Sequence, residues 1–191
     1  MASDEEHITA SMDSMGSLSS ATELGDRIIK VNHAGEHGAI NIYSGQILMA
    51  RITARDLIEQ LVEFRSEEQK HRALFWAELQ RRGRPRCRSY WLCGIGGYLL
   101  GVITGLLGRS AIAATTVAVE SVVLKHLENQ LATLGNRDPE ATAAISAIVS
   151  EERQHHDRSE VHLEGHQRWR AVIEPVVSAS TEAVTWLGMR L

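Results

Sequence analysis

Two glutamates and two Glu-x-x-His pairs recur along this chain with a single spacing. Glu36 lies 32 residues before Glu68, which pairs with His71, and Glu120 lies 32 residues before Glu152, which pairs with His155; the second set is the first displaced by 84 positions. Side chains three or four apart share one helix face, so each Glu-x-x-His pair forms a single helical surface. Four helices, two from each repeat, then bring four carboxylates and two imidazoles to one level of a bundle, an arrangement used to hold two metal ions. With 9 histidines and 24 acidic residues among 191, roughly one Glu-x-x-His arises by accident. The repetition at equal spacing is what chance does not supply.

Apolar residues recur at helical spacing from Asp26 onward, so the chain reads as one nearly all-helical domain. The stripes are Ile29, His33, Glu36, Ile40, Tyr43 and Ile47; Leu57, Leu61, Phe64, Glu68, His71 and Phe75; Val117, Glu120, Leu124, Leu127, Leu131 and Leu134; and Ile145, Ile148, Glu152 and His155. All six chemistry-bearing residues lie on them, whereas Glu67, Lys70 and Arg72 are expected to point away. The turn at Gly135 to Pro139 falls midway between Glu120 and Glu152, which sets those two residues level in an antiparallel hairpin. The matching midpoint in the first half is Ile52-Thr53, with Thr53 or Asp56 available as a helix cap. Pro175 is expected near the start of a final amphipathic helix. Tyr43 reads as core packing, with a line of access to the site as the lesser role. His33 and His37 flank Glu36, while His7, His156, His162 and His166 read as surface residues.

Four carboxylates in one core repel unless protons or cations meet them. No lysine or arginine lies on the inward stripes, and two divalent ions balance four carboxylates charge for charge. The oxygen-rich set, with one imidazole per ion, suits iron or manganese better than tetrahedral structural zinc. Cys87 and Cys93 match neither a disulfide framework nor a thiolate metal spacing. A net charge of −4 gives no general attraction to nucleic acid. Residues 1–24 hold five acidic side chains and no lysine or arginine, so they read as a disordered acidic, serine-rich tail rather than an import or secretion signal. The functional domain is then 25–191.

Between the repeats lie five arginines from Arg81 to Arg88 and an uncharged stretch from Ser89 to Gly108. A single membrane crossing there would put the half-sites on opposite sides of a bilayer. Two readings remain. One is an interfacial helix with Trp91 at headgroup depth and the arginines on anionic lipid; the other is a packing helix whose Gly97, Gly101 and Gly105 allow close approach.

The motifs Arg27-Ile-Ile-Lys-Val-Asn-His-Ala-Gly-Glu36, Ile42-Tyr-Ser-Gly-Gln46, Glu68-Gln-Lys-His71, Thr116-Val-Ala-Val-Glu120 and Glu151-Glu-Arg-Gln-His-His-Asp157 resemble those of the demethoxyubiquinone hydroxylase family over about residues 26 to 191. That resemblance implies a ferritin-like four-helix bundle with an additional apolar crossover helix and a C-terminal helix. It implies a di-iron monooxygenase hydroxylating the ring of a prenylated benzoquinone in ubiquinone biosynthesis, with O2 as co-substrate and electrons from NADH directly or through a reductase. Glu36, Glu68, His71, Glu120, Glu152 and His155 would be the ligands of two iron ions, the central glutamates bridging. Arg27 and His126 match positions the family is thought to use around substrate and electron delivery. Leu127 stands where members often have tyrosine, which counts against a tyrosine-assisted electron route. The implied partners are the prenylated quinone, a membrane surface through 89–108 and other ubiquinone-biosynthesis proteins, with a homo-oligomer left open. The implied location is peripheral, on the cytoplasmic face of a bacterial inner membrane or, alternatively, the matrix side of the mitochondrial one. An iron-oxidising ferritin-like protein without organic substrate and a metal-free scaffold are the competing readings. The absence of a Gly-x-Gly-x-x-Gly fingerprint leaves electrons to come from outside the chain.

Overall fold

The computed structural model describes residues 2–163 and 167–190, with side chains described from residue 22 onward except at 167, 168, 170 and 190. Among the described residues there is no strand. Seven α-helices follow in order: α1 Ala2–Thr53, α2 Ile58–Arg81, α3 Tyr90–Leu106, α4 Arg109–Leu134, α5 Pro139–Ser146, α6 Val149–Glu160 and α7 Gln167–Arg190, with 3-10 turns at Arg55–Leu57 and Val161–Leu163. The stretch 1–24, expected as a tail, has most of its side chains outside the described ones, as are His7 and His166.

Each repeat folds as a helical hairpin. Helix α1 ends at Thr53, beside the expected midpoint, and reverses through Ala54, whose N–H bonds Ala50 O at 3.0 Å. No side chain caps α2. Thr53 instead donates to Met49 O and Gly105 O, and Asp56 pairs with Arg109, so both candidate caps serve the link to the second repeat. The second hairpin turns at Gly135 (φ 51°), and Asp138 caps α5 by accepting from Ala141 N at 3.1 Å. Its return helix is not continuous. Ile148 N bonds Ile145 O at 3.2 Å, three residues back rather than four, and this tight turn separates α5 from α6 just before Glu152.

The C-terminal helix also differs from expectation. Pro175 lies inside α7, not at its start. The carbonyl it leaves without an N–H partner belongs to exposed Ala171, where solvent can take over.

Helix α3 is the crossover that carries the chain back along the bundle, parallel to α1. Its glycines face that helix so closely that a Cβ on Gly97 would lie 2.4 Å from Gly38 O and one on Gly101 2.1 Å from Ile42 O. The packing reading of this segment therefore holds for its glycine face. The glycine face is buried, while Trp91, Leu92, Ile95, Leu99 and Ile103 on the other side are each more than half exposed. Among the described residues one helix, α4, is long and apolar enough to cross a membrane, but 72% of its apolar window is buried in the bundle, as befits a central core helix.

The arginines before α3 are not all available to a surface. Arg82, with its side chain 7% exposed, makes two hydrogen bonds to Asp138 at 2.7 and 2.8 Å and a third to Glu78, and Arg84 pairs with Asp26. This clamp joins the end of α2 to α1 and to the cap of α5. Ion desolvation makes such a group stable only when every charge is matched, which is why Arg82 faces inward. The apolar core forms two layers along the bundle: Ile28, Ile29, Phe75, Leu79, Leu127 and Ile145 make the one next to the clamp, and Tyr43, Ile47, Leu61, Phe64 and Ile112 the one farther from it.

Candidate metal centre

Between those two apolar clusters the fold brings Glu36, Glu68, His71, Glu120, Glu152 and His155 together, all buried at 6% exposure or less. Glu36 comes from α1, Glu68 and His71 from α2, Glu120 from α4, and Glu152 and His155 from α6. Two overlapping quartets, Glu36–Glu68–His71–Glu152 and Glu68–Glu120–Glu152–His155, each offer ligand atoms within 4.8 Å of one another.

Glu68 and Glu152 belong to both quartets, and their oxygens divide between them. Glu68 Oε1 lies 3.1 Å from His155 Nδ1 and its Oε2 3.6 Å from His71 Nδ1. Glu152 Oε1 lies 2.9 Å from His71 Nδ1 and its Oε2 3.7 Å from His155 Nδ1. Each central carboxylate thus has one oxygen at each half-site, the placement a bridging ligand needs.

The imidazoles are held from behind. Nε2 of His71 donates to Glu151 at 2.7 Å, and Nε2 of His155 donates to Glu67 at 2.7 Å. With Nε2 carrying the proton, Nδ1 of the neutral ring presents a lone pair to the centre. Those Nδ1 atoms, with Glu68 Oε1 and Glu152 Oε1, are buried and have no aligned hydrogen-bond partner. Orphaned donor atoms converging from α2 and α6 fit a cation. Sequence reasoning placed Glu67 outward and singled out neither outer glutamate. The repeat contained the signal, because Glu67 and Glu151 are themselves 84 apart and each precedes a candidate ligand glutamate.

Protons must balance these charges where metal does not. Burial, and then the neighbouring Glu68, raises Glu36 well above the ordinary carboxylate range; burial, and then Glu152, does the same for Glu120. Burial alone would raise Glu68 too, but His155 and His71 hold it below that range. Burial favours neutral imidazoles, yet the facing Glu152 and Glu68 prevail, pulling His71 up to about 10 and His155 up to about 12. Divalent ions would replace these protons.

Tyr43 does more than pack. Its hydroxyl donates to Glu120 Oε1 at 2.9 Å, and burial keeps the phenol protonated. His33 and His37 touch none of the six. His33 stacks between Trp76 and Tyr90, and His37 lies 4.0 Å from the Tyr90 ring. Half-buried His156 faces Asp157, and His162 meets Gln60 in a partly buried contact.

A cavity of about 470 Å³ between α1, α3, α4 and α7 reaches Glu36, Glu68, Glu120 and Glu152. Leu92, Leu99 and Ile103 line it and are also more than half exposed, so its mouth opens on the apolar face of α3. His126 lines it as well, with Nε2 3.4 Å from Glu182. Arg27 does not join the site: it is exposed on α1 and reaches the Glu23 carbonyl.

Paired helical hairpins around an inward carboxylate–imidazole cluster define a ferritin-like bundle. Within that class the chain belongs to the family described as ubiquinone biosynthesis protein COQ7, whose model matches residues 23–188. It is 34% identical over 172 residues to the human NADPH-dependent 3-demethoxyubiquinone 3-hydroxylase, mitochondrial, covering 87% of this chain and 77% of that protein. Its similarity to the Bos taurus protein of the same name is 32% over 176 residues, 88% of this chain and 79% of the other. A bacterial relative, the 3-demethoxyubiquinol 3-hydroxylase of Rhodospirillum rubrum, is 30% identical over 174 residues, 90% and 81% of the two chains.

Proposed function

We propose that this protein is a hydroxylase of a demethoxyubiquinone-type ring in ubiquinone biosynthesis, and that Glu36, Glu68, His71, Glu120, Glu152 and His155 hold two iron ions. The observation that carries this reading is the cavity: one continuous space joins the exposed apolar face of α3 to four of the six candidate ligands. A prenyl tail can remain among apolar surroundings at the mouth while the ring advances to the carboxylates. The exposed apolar face of α3 rests on a membrane surface, which makes the protein peripheral. A protein that only oxidised iron would need no apolar entry of this kind.

When bound, the two ions supply the dioxygen chemistry that ring hydroxylation requires. Overall, a ring C–H becomes C–OH; one oxygen atom of O2 enters the ring, the other leaves as water, and two electrons come from a reduced nicotinamide nucleotide, directly or through a reductase. The chain's own side chains hold and shield. Glu68 and Glu152 span the two positions, Glu36 and Glu120 close the ends, and Glu67 and Glu151 fix the rings of His155 and His71. The apolar walls contributed by Ile42, Leu100, Val119 and Leu127 exclude water around the substrate ring.

Quinone profiling of cells lacking this protein tests the proposal. The expected result is an accumulated precursor one ring hydroxylation short, rescued by the wild-type chain but not by Glu120→Ala. An unchanged profile would reject the reaction, and rescue by the variant would reject the ligand assignment.

A further inference from the structure

The repeat that places the six ligands continues to a seventh position, and there the halves differ. Tyr43 lies seven residues after Glu36, and Leu127 lies seven after Glu120, so 84 positions again separate them. Each stands two turns beyond the glutamate of its own half. Tyr43, however, serves the other half, since its hydroxyl reaches Glu120. Helix side chains lean toward their own N-terminus, and α1 and α4 run in opposite directions, so a residue on one helix reaches the glutamate on its neighbour. By the same two-fold relation, a donor at 127 would reach Glu36. Leu127 has none to give. It is 2% exposed and packs with Ile28, Ile29 and Phe75, and among the described residues no hydrogen bond from outside the six reaches the Glu36 side chain.

A second difference runs the same way. Glu67, behind His155, is 21% exposed in its side chain, whereas Glu151, behind His71, is 41% exposed. The Glu120–His155 half is therefore braced at both outer ligands by more sheltered groups. The Glu36–His71 half has an unbraced glutamate, with its side chain 7% exposed beside the cavity that Leu127 also lines.

Resting on the reading that the six residues hold two divalent ions, we propose that Tyr43 and Leu127 make the two positions unequal, Tyr43 acting as a positioning residue. The Glu68–Glu120–Glu152–His155 position is preorganised and binds tightly. The Glu36–Glu68–His71–Glu152 position binds more weakly and is the one able to rearrange its ligands toward the cavity. The hydrogen bond from Tyr43 occupies Oε1 of Glu120 and freezes that carboxylate before metal arrives, leaving Oε2 as its donor. Glu36 must be ordered by the ion itself, which weakens its half.

Stepwise Co2+ binding to the metal-free full chain, followed by calorimetry and the cobalt visible spectrum, reads this directly. Two steps per chain are expected, the tighter lost in His155→Ala and the weaker in His71→Ala. Tyr43→Phe keeps the ring packed and removes only the donor. It should weaken the tight step about tenfold, equivalent to ~1.4 kcal/mol, and leave the other within about twofold. Leu127→Tyr should strengthen the weak step and draw the two together. Equal steps in the wild type, an equal shift of both in Tyr43→Phe, or a tight step lost in His71→Ala would overturn the inequality. Failure to bind cobalt at all would overturn the metal reading beneath it.

Discussion

Gly101→Ala is a sharp probe of how α3 is seated, because the structure gives both the obstruction and a matched control. The added Cβ would stand 2.1 Å from Ile42 O and 2.8 Å from Ile42 C, where ordinary contact begins at 3.4 Å. Relief requires a separation larger by 3.4 − 2.1 = 1.3 Å, and the obstacle is backbone rather than a side-chain tip that can rotate aside. Overpacking of this kind costs about 1–3 kcal/mol, partly offset by the ~1 kcal/mol that alanine gains over glycine within a helix. Gly96 lies on the same helix with nothing within 4 Å of its Cβ position, so Gly96→Ala should keep that gain in full. The two variants should therefore differ by the overpacking cost alone, about 1–3 kcal/mol in urea unfolding, or about 2–12 °C in Tm for a chain of this size. Since α3 also walls the cavity through Gly97, Leu100 and Ile103, Gly101→Ala should weaken quinone binding more than metal binding. Identical melting of the two alanine variants would show that α3 does not rest on α1 through its glycine face.

Further outcomes follow from the site and its supports. Glu67→Gln and Glu151→Gln should each lower metal affinity by roughly 10- to 100-fold in competition with a chelator, the first more because Glu67 is 21% exposed against 41% for Glu151. Metal binding should release protons and tighten as pH rises, because His71 and His155, pulled up to about 10 and about 12, must lose theirs to coordinate. The same raised values stabilise the metal-free fold fully below the unfolded histidine value near 6.5, so its denaturation midpoint should fall as pH climbs from there through about 10. Arg82→Met should cost about 3–5 kcal/mol in chemical unfolding, since it leaves Asp138, with its side chain only 4% exposed, without its charge partner.

The six central residues were legible because duplication repeats them on inward stripes, and a stripe is a property of one helix at a time. What escaped the sequence depends on how separate helices cross. Glu67 sits one position off its stripe, and only the approach of α6 places it behind His155. Arg82 reads as part of a basic run until the α5 cap, Asp138, is brought against it. The tight turn at Ala147–Ile148 has no proline or glycine to mark it, and apolar Ile148 continues the stripe through the break. In α3 the sequence contained both faces at once, a glycine ladder and a bare apolar side, but not how tightly the ladder would close on α1. Arg27 shows the reverse limit, since a motif match put it near the site and the structure leaves it exposed on α1.

Iron content after anaerobic loading and desalting, set beside the same measurement on Glu68→Ala and Glu152→Ala, tests the central claim most directly. Two irons per chain are predicted for the wild type, falling to one or none when either shared carboxylate is removed. A wild type that retains no more than one iron, or variants that still retain two, would contradict a binuclear centre built from these side chains.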